Sequence, residues 1–150
     1  MGKNIILEAI NYAIQREEKA VQFYQQALSL TLNQSLKEMF RSLADEEKKH
    51  KELLQKIKQK DIIQLETDYI PDLKITDYLI PVEFSPEMDL QELLILAIKK
   101  EEESITLYTQ LAERSKNSEL IKLFQLLIQQ EKKHKFKLEA QYEDFIYQED

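Results

Sequence analysis

The hydrophobic residues of the chain recur at alternating steps of three and four along four separate stretches. This spacing places them on one face of a helix, the face that packs into a core. The helices that the pattern predicts span roughly residues 4–30, 34–59, 89–115 and 118–146. The connection between the second and third helices, roughly residues 61–88, holds all three prolines. The pattern therefore predicts an all-α fold with one long connection.

The second pair of predicted helices repeats the first pair. A shift of 84 residues aligns Glu17 with Glu101 and Tyr24 with Tyr108, and about a third of the shifted positions are identical. A repeated helical hairpin is typical of a four-helix bundle, and the long connection then serves as the crossover between the two hairpins. A length of 150 residues suits one core, so residues 1–150 are predicted to form a single domain.

Six polar side chains interrupt the apolar faces of the four helices, although flanking residues mark their positions as core. They occur at equivalent positions of the two hairpins: Glu17, Glu47, His50, Glu101, Glu131 and His134. Residues three apart on a helix are neighbours on one face, so each Glu-x-x-His pair can bind at one site. The adjacent residues Glu46 and Lys48 lie off this face and are predicted to be solvated.

Four buried carboxylates need positive partners, because burying an unpaired charge costs on the order of several kcal/mol. Two divalent cations would balance the four negative charges. The chain has no cysteine, which excludes thiolate ligands. Carboxylates with imidazoles suit iron or manganese, and zinc can compete for them. The residues therefore predict two metal ions inside a four-helix bundle.

The remaining composition narrows the possible partners. A formal net charge of −7 argues against a nucleic-acid-binding protein, which needs clustered Lys and Arg. No apolar run approaches the ~18 residues of a membrane span, so no membrane partner is expected. The lack of cysteine fits a reducing compartment, and a cytoplasmic location is expected.

Four segments together resemble rubrerythrins, members of the ferritin-like di-iron carboxylate superfamily. They are "AIQREEKAVQFY" with "LADEEKKH", and "AIKKEEESITLY" with "LIQQEKKH". The resemblance covers nearly the whole chain. It implies that Glu17 and Glu101 are terminal ligands of two iron ions, that Glu47 and Glu131 bridge them, and that each histidine binds one ion.

The same resemblance implies roles for residues around the metals. Tyr24 and Tyr108 resemble tyrosines that donate hydrogen bonds to the metal-binding carboxylates. No catalytic residue is implied beyond the metal centre itself. Rubrerythrins carry an extra glutamate one turn after the first ligand of the third helix, where this chain has Ser104. Six protein ligands are therefore expected.

The function that the resemblance implies is the reduction of hydrogen peroxide, or of dioxygen, in protection against oxidative stress. Without cysteines for a rubredoxin domain, the electrons would come from a separate donor, such as a rubredoxin-type protein. A homodimer is also implied.

Two other functions stay open beside this preferred enzyme. One is non-enzymatic iron storage of the ferritin kind, although cage ferritins carry a fifth helix for which little sequence remains. The other is a helical interaction domain that metal ions, including zinc or manganese, merely stabilise.

Overall fold

The computed structural model describes residues 5–57 and 84–149. These residues form four helices: α1 (Ile5–Leu30), α2 (Gln34–Gln55), α3 (Leu90–Arg114) and α4 (Ser118–Glu149). The described part of the chain contains no β-strand. The predicted all-α four-helix bundle is confirmed.

Two helices end at other residues than the hydrophobic pattern predicts. Helix α2 ends at Gln55 rather than near residue 59, and α4 continues to Glu149 rather than ending near 146. The predicted crossover falls largely on residues 58–83, which lie outside the described residues. Its described end contributes Phe84, whose ring packs edge-on against Phe23 with centroids 6.2 Å apart.

Equivalent asparagines cap the N-terminus of the second helix in each hairpin. The Asn33 side chain accepts a hydrogen bond from the Leu36 backbone N–H at 3.0 Å, and Asn117 accepts from Leu120 at 3.1 Å. Such a cap satisfies a backbone donor that the helix leaves free and stabilises it by about 1 kcal/mol. The two helices thus begin at equivalent positions, which brings their Glu-x-x-His motifs to the same depth.

The helices pack as two hairpins, α1 with α2 and α3 with α4, and α1 also contacts α3. Tyr24 of α1 reaches Glu101 of α3, whereas Tyr108 reaches back to Glu17. Helices α1 and α3 therefore run antiparallel. Since α1 is also antiparallel to α2, helices α2 and α3 run in the same direction.

The core consists of two apolar clusters with the polar positions between them. One cluster contains Ala9, Ile10, Ala13, Leu54, Leu107, Tyr108, Leu111, Leu120, Phe124 and Leu127. The other contains Phe23, Tyr24, Ala27, Leu36, Phe40, Leu43, Ala44, Leu93, Leu94, Leu96, Ala97 and Leu138. Tyr24 stacks on Phe40 and Tyr108 on Phe124, with centroids 6.2 and 6.4 Å apart. Both tyrosine rings are thereby held facing the middle of the bundle.

None of the helices in the described ranges combines the length and the apolar character that crossing a membrane requires.

Candidate metal centre

The structure buries all six glutamates and histidines that interrupt the apolar faces. Each side chain is at most 2% exposed: Glu17, Glu47, His50, Glu101, Glu131 and His134. Their sequence neighbours Lys48 and Lys49 are exposed. The helical spacing therefore separated buried from solvated charges correctly at these positions.

The six side chains form two overlapping groups of four. The first metal position is formed by Glu17, Glu47, His50 and Glu131, and the second by Glu47, Glu101, Glu131 and His134. Within each group the possible ligand atoms all lie within 4.8 Å of one another. Glu47 and Glu131 belong to both groups, as carboxylates that bridge two ions would.

Both histidines turn Nδ1 towards the carboxylates. His50 Nδ1 lies 3.0 Å from Glu47 Oε1, 3.4 Å from Glu17 Oε2 and 3.5 Å from Glu131 Oε1. His134 Nδ1 mirrors this, 3.0 Å from Glu131 Oε1 and 3.5 Å from Glu47 Oε1. The two imidazole rings lie nearly parallel, with centroids 5.6 Å apart. Nδ1 is therefore the nitrogen placed to bind a metal ion.

Most of these inward atoms make no well-directed hydrogen bond within the described residues, although the histidine nitrogens lie close to carboxylate oxygens. They include Nδ1 of both histidines and carboxylate oxygens of all four glutamates. Buried polar atoms of folded proteins are nearly always hydrogen-bonded, so several unpartnered ones at one place need an explanation. Two divalent cations with nitrogen and oxygen ligands would satisfy them together. The residues present thus fit a binuclear metal centre.

The electrostatics of the metal-free centre favour bound protons. Burial raises the pKa of Glu47 well above its ordinary value, and the nearby Glu17 carboxylate adds to the shift. Glu131 behaves in the same way. Burial alone would lower the pKa of the histidines, but the carboxylates around them raise it to about 9 for His50 and about 10 for His134. Metal ions binding here would displace protons.

Each tyrosine donates a hydrogen bond to the carboxylate of the other hairpin. Tyr24 Oη donates to Glu101 Oε1 at 2.6 Å, and Tyr108 Oη donates to Glu17 Oε2. The sequence predicted tyrosine–carboxylate bonds but not this crossing between hairpins. Burial and then the adjacent carboxylate raise the pKa of both hydroxyls well above the ordinary value, so they remain donors.

The outer nitrogens of the histidines have unlike partners. His134 Nε2 lies 3.1 Å from the Glu46 carboxylate, whereas His50 Nε2 lies 2.5 Å from the Gln130 amide oxygen. The Glu46 carboxylate and the Gln130 amide oxygen can only accept, so each Nε2–H donates a hydrogen bond to them, whether or not Nδ1 also carries a proton.

Glu46 was predicted to be solvated, and that prediction was incomplete. Its side chain is 34% exposed and reaches across the bundle to His134. In two antiparallel helices, residues that lie level with each other have numbers that always add up to the same value. The numbers of the pairs Glu46–His134 and His50–Gln130 add up to the same value, so both pairs fit one alignment of α2 with α4. The value of that sum depends on how the two hairpins pack against each other, so the sequence alone does not identify either partner.

Arg16 is a further residue that sequence reasoning missed. Its Nη2 donates to the Lys100 carbonyl at 3.1 Å and to Ser104 Oγ at 3.4 Å, and its Nη1 lies 3.4 Å from Glu103 Oε1. Ser104, which lies one turn after Glu101, therefore contacts the positively charged guanidinium of Arg16. Only the position of Arg16, immediately before Glu17, hinted at this contact.

The sequence as a whole matches one family model, Rubrerythrin, over residues 8–142. The chain belongs to the rubrerythrin family. No curated protein matches it in sequence. Two solved structures are similar to this rubrerythrin-family chain. One is a protein from Thermotoga maritima described as ferritin-like and of the diiron-carboxylate kind, with 26% identity and a TM-score of 0.78, covering 92% of this chain and 94% of that one.

The other similar structure is a hypothetical protein from Pyrococcus furiosus. It has 30% identity and a TM-score of 0.71, and the match covers 92% of this chain and 88% of that one. Both alignments take in nearly the whole length of each protein. The rubrerythrin-family chain thus has a ferritin-like fold with a carboxylate and histidine cluster that could bind metal.

Proposed function

We propose that this rubrerythrin-family chain binds two iron ions and reduces hydrogen peroxide, or dioxygen, with electrons from a separate donor protein. The observation that carries the proposal is the pair of overlapping four-residue groups that share Glu47 and Glu131. Two buried positions with common carboxylates suit a pair of ions that act together on one small substrate.

Different residues of the chain would have different roles in this reaction. Two ferrous ions would supply the electrons and the Lewis acidity for reducing an O–O bond. Glu47 and Glu131 would bind both ions, and one further glutamate and one histidine would complete each position. The tyrosine hydroxyls hold Glu17 and Glu101 in orientation. The apolar clusters on either side keep bulk water from the ligands.

Iron is proposed because of the family, since the ligands themselves would also accept manganese or zinc. The proposal includes a rubredoxin-type donor, a homodimer, a cytoplasmic location and a role against oxidative stress. These parts remain predictions from the sequence and its resemblance.

The test is iron loading without oxygen, followed by mixing with peroxide. We expect about two ferrous ions per chain, from the ligand set. Stopped-flow absorbance should show their rapid oxidation by hydrogen peroxide, and a reduced rubredoxin should restore the ferrous state. The same experiment with dioxygen identifies the preferred substrate.

Each alternative function gives a different result. Uptake of hundreds of iron ions per oligomer would favour storage. Tight zinc binding without any spectral change on adding peroxide would favour a metal-stabilised interaction domain. Either outcome would contradict the proposed reduction of peroxide.

A further inference from the structure

The repeat breaks down at the residues behind the two histidines. Glu46 and Gln130 occupy equivalent positions of the two hairpins, 84 residues apart, yet one is a carboxylate and the other an amide. Glu46 accepts the outer N–H of His134, and Gln130 accepts that of His50. Two ligands that are otherwise equivalent therefore have acceptors of different charge.

We propose that the two metal positions are unequal, and that the second position, which includes His134, binds its ion more tightly and fills first. The inference rests on the proposed function only in requiring that the centre binds two divalent ions. It assigns Glu46 and Gln130 as positioning residues, which act on the metal through the imidazoles.

The physical basis is the charge of the acceptor. A hydrogen bond to a carboxylate is charge-assisted and stronger than one to a neutral amide. A carboxylate that accepts the outer N–H of a metal-binding histidine also increases the electron density at the nitrogen that binds the metal. Removing such a partner typically weakens metal binding on the order of 10- to 100-fold. The Glu46 side chain is 34% exposed, so solvent screens its charge only in part.

The other contacts of the centre do not cancel this difference. Both bridging glutamates are common to the two positions, and each terminal glutamate accepts one tyrosine hydroxyl. The ion pair between Lys51 and Glu18 recurs as that between Lys135 and Glu102.

Arg16 is the exception to this symmetry, because its guanidinium lies against α3, the helix that carries Glu101. Its charge is balanced by Glu103, 3.4 Å away. Among residues 5–57 and 84–149, the difference between Glu46 and Gln130 therefore remains the charge difference in direct contact with the metal-binding side chains.

The chain provides a direct readout, because its two histidines belong one to each position. Protein with ¹⁵N-labelled histidine is freed of metal and titrated with zinc, while the imidazole signals are followed by NMR. A His50→Gln variant assigns the signals. In the first part of the titration, well below one zinc per chain, we expect the His134 signals to change much more than those of His50. The ratio of the two zinc affinities fitted to the titration curves should be on the order of tenfold or more.

Exchanging the two acceptors should reverse the order. Glu46→Gln should reduce the ratio towards one, and Gln130→Glu should do the same by strengthening the first position. The double variant should fill the His50 position first. Asp45→Asn is the matched control, since it removes the same charge from the exposed neighbour of Glu46 and should leave the order unchanged.

Several outcomes would overturn the inference. If both imidazoles respond in parallel in the wild type, the two positions are equal. If Glu46→Gln and Asp45→Asn have the same effect, the cause is general charge and not the contact with His134. In both cases the proposed iron centre would stand. If neither imidazole responds to zinc and iron is not bound either, both proposals fall together.

Discussion

The first half of the molecule, α1 and α2, and the second half, α3 and α4, supply the same residues to the metal centre and different residues around it. Two glutamates, one histidine and one tyrosine come from each half. Behind the ligands the halves diverge, because Glu46 is matched by Gln130 and Arg16 by Lys100.

The divergence shows which contacts constrain the sequence most. A residue that binds the shared metal pair contributes to both positions or to a closely packed neighbour, so the two copies can hardly vary. A residue one contact further away alters the strength of one position without dismantling the other. In the proposed centre, the symmetric residues would bind the two ions, and the asymmetric residues Glu46 and Gln130 would make the two positions differ in affinity.

The largest expected effect is the loss of a residue common to both positions. Glu47→Ala and Glu131→Ala should each reduce bound iron from about two ions per chain to nearly none, because each removes a ligand of both ions. Metal analysis after gel filtration measures this. Lys48→Ala and Lys132→Ala are the matched controls on the exposed faces. Retention of one ion in either glutamate variant would show that this carboxylate binds at only one of the two metal positions.

The stability of the metal-free protein should fall as the pH rises. The raised pKa values of His50 and His134 give stability that is fully present below their unfolded value of 6.5 and is lost as the pH rises through about 9 and 10. Glu47 and Glu131 act in the same direction, because the folded state holds protons that the unfolded chain has released.

With a chelator present, the two histidines alone should lower the melting temperature by on the order of 5–10 °C per pH unit between pH 6.5 and 9. Thermal melts followed by circular dichroism measure it. His50→Gln and His134→Gln should each make the slope shallower without abolishing it, because Glu47, Glu131 and the remaining histidine still bind protons. A metal-free protein whose melting temperature rises over this range would contradict the protonated centre in both halves.

Removing the tyrosine hydroxyls tests the crossing between the halves. Tyr24→Phe and Tyr108→Phe should each cost about 1.5–3 kcal/mol of unfolding free energy, because each leaves a buried carboxylate without its donor. Tyr24→Phe should also weaken the second metal position, through Glu101, and Tyr108→Phe the first, through Glu17. Urea unfolding and the histidine signals during zinc titration measure the two effects. If each variant instead weakened the metal position that contains the glutamate of the tyrosine's own hairpin, the hydrogen bonds between hairpins would be contradicted.

The smallest expected effect is at the repeated ion pairs on the surface. Lys51 lies 2.7 Å from Glu18 and Lys135 lies 3.1 Å from Glu102, with all four side chains at least 30% exposed. Lys51→Ala and Lys135→Ala should each cost less than about 1 kcal/mol, because solvent screens such pairs. Urea unfolding in low and high salt measures this. A markedly larger cost in one half would reveal an asymmetry that the contacts do not show.

Helical periodicity predicted the bundle and the six buried polar residues because it depends only on which face of a helix a residue occupies. Glu17 and His50 share the face of apolar neighbours, and their burial follows. Glu46 is adjacent to Glu47 and so points about 100° away from the core face. Its long side chain nevertheless extends as far as His134. Periodicity gives the direction of a residue on its helix but not how far its side chain extends.

The partners of the tyrosines illustrate a second limit. Tyr24 lies two turns after Glu17 on one helix, and the sequence links those two residues most closely. The antiparallel contact between α1 and α3 places Tyr24 beside Glu101 instead. Which hydroxyl meets which carboxylate depends on how the hairpins face one another, a property of the assembled bundle rather than of either hairpin.

The shared glutamates have a consequence for the history of this chain. The first metal position takes Glu131 from the second half, and the second position takes Glu47 from the first. A single hairpin therefore holds neither group of four, and an ancestral half-length protein would have completed its centre only by pairing with an identical copy. Fusing two such copies into one chain would remove that requirement for identity. Each half could then carry its own substitutions, as at Glu46 and Gln130, whereas two identical half-length chains could not differ.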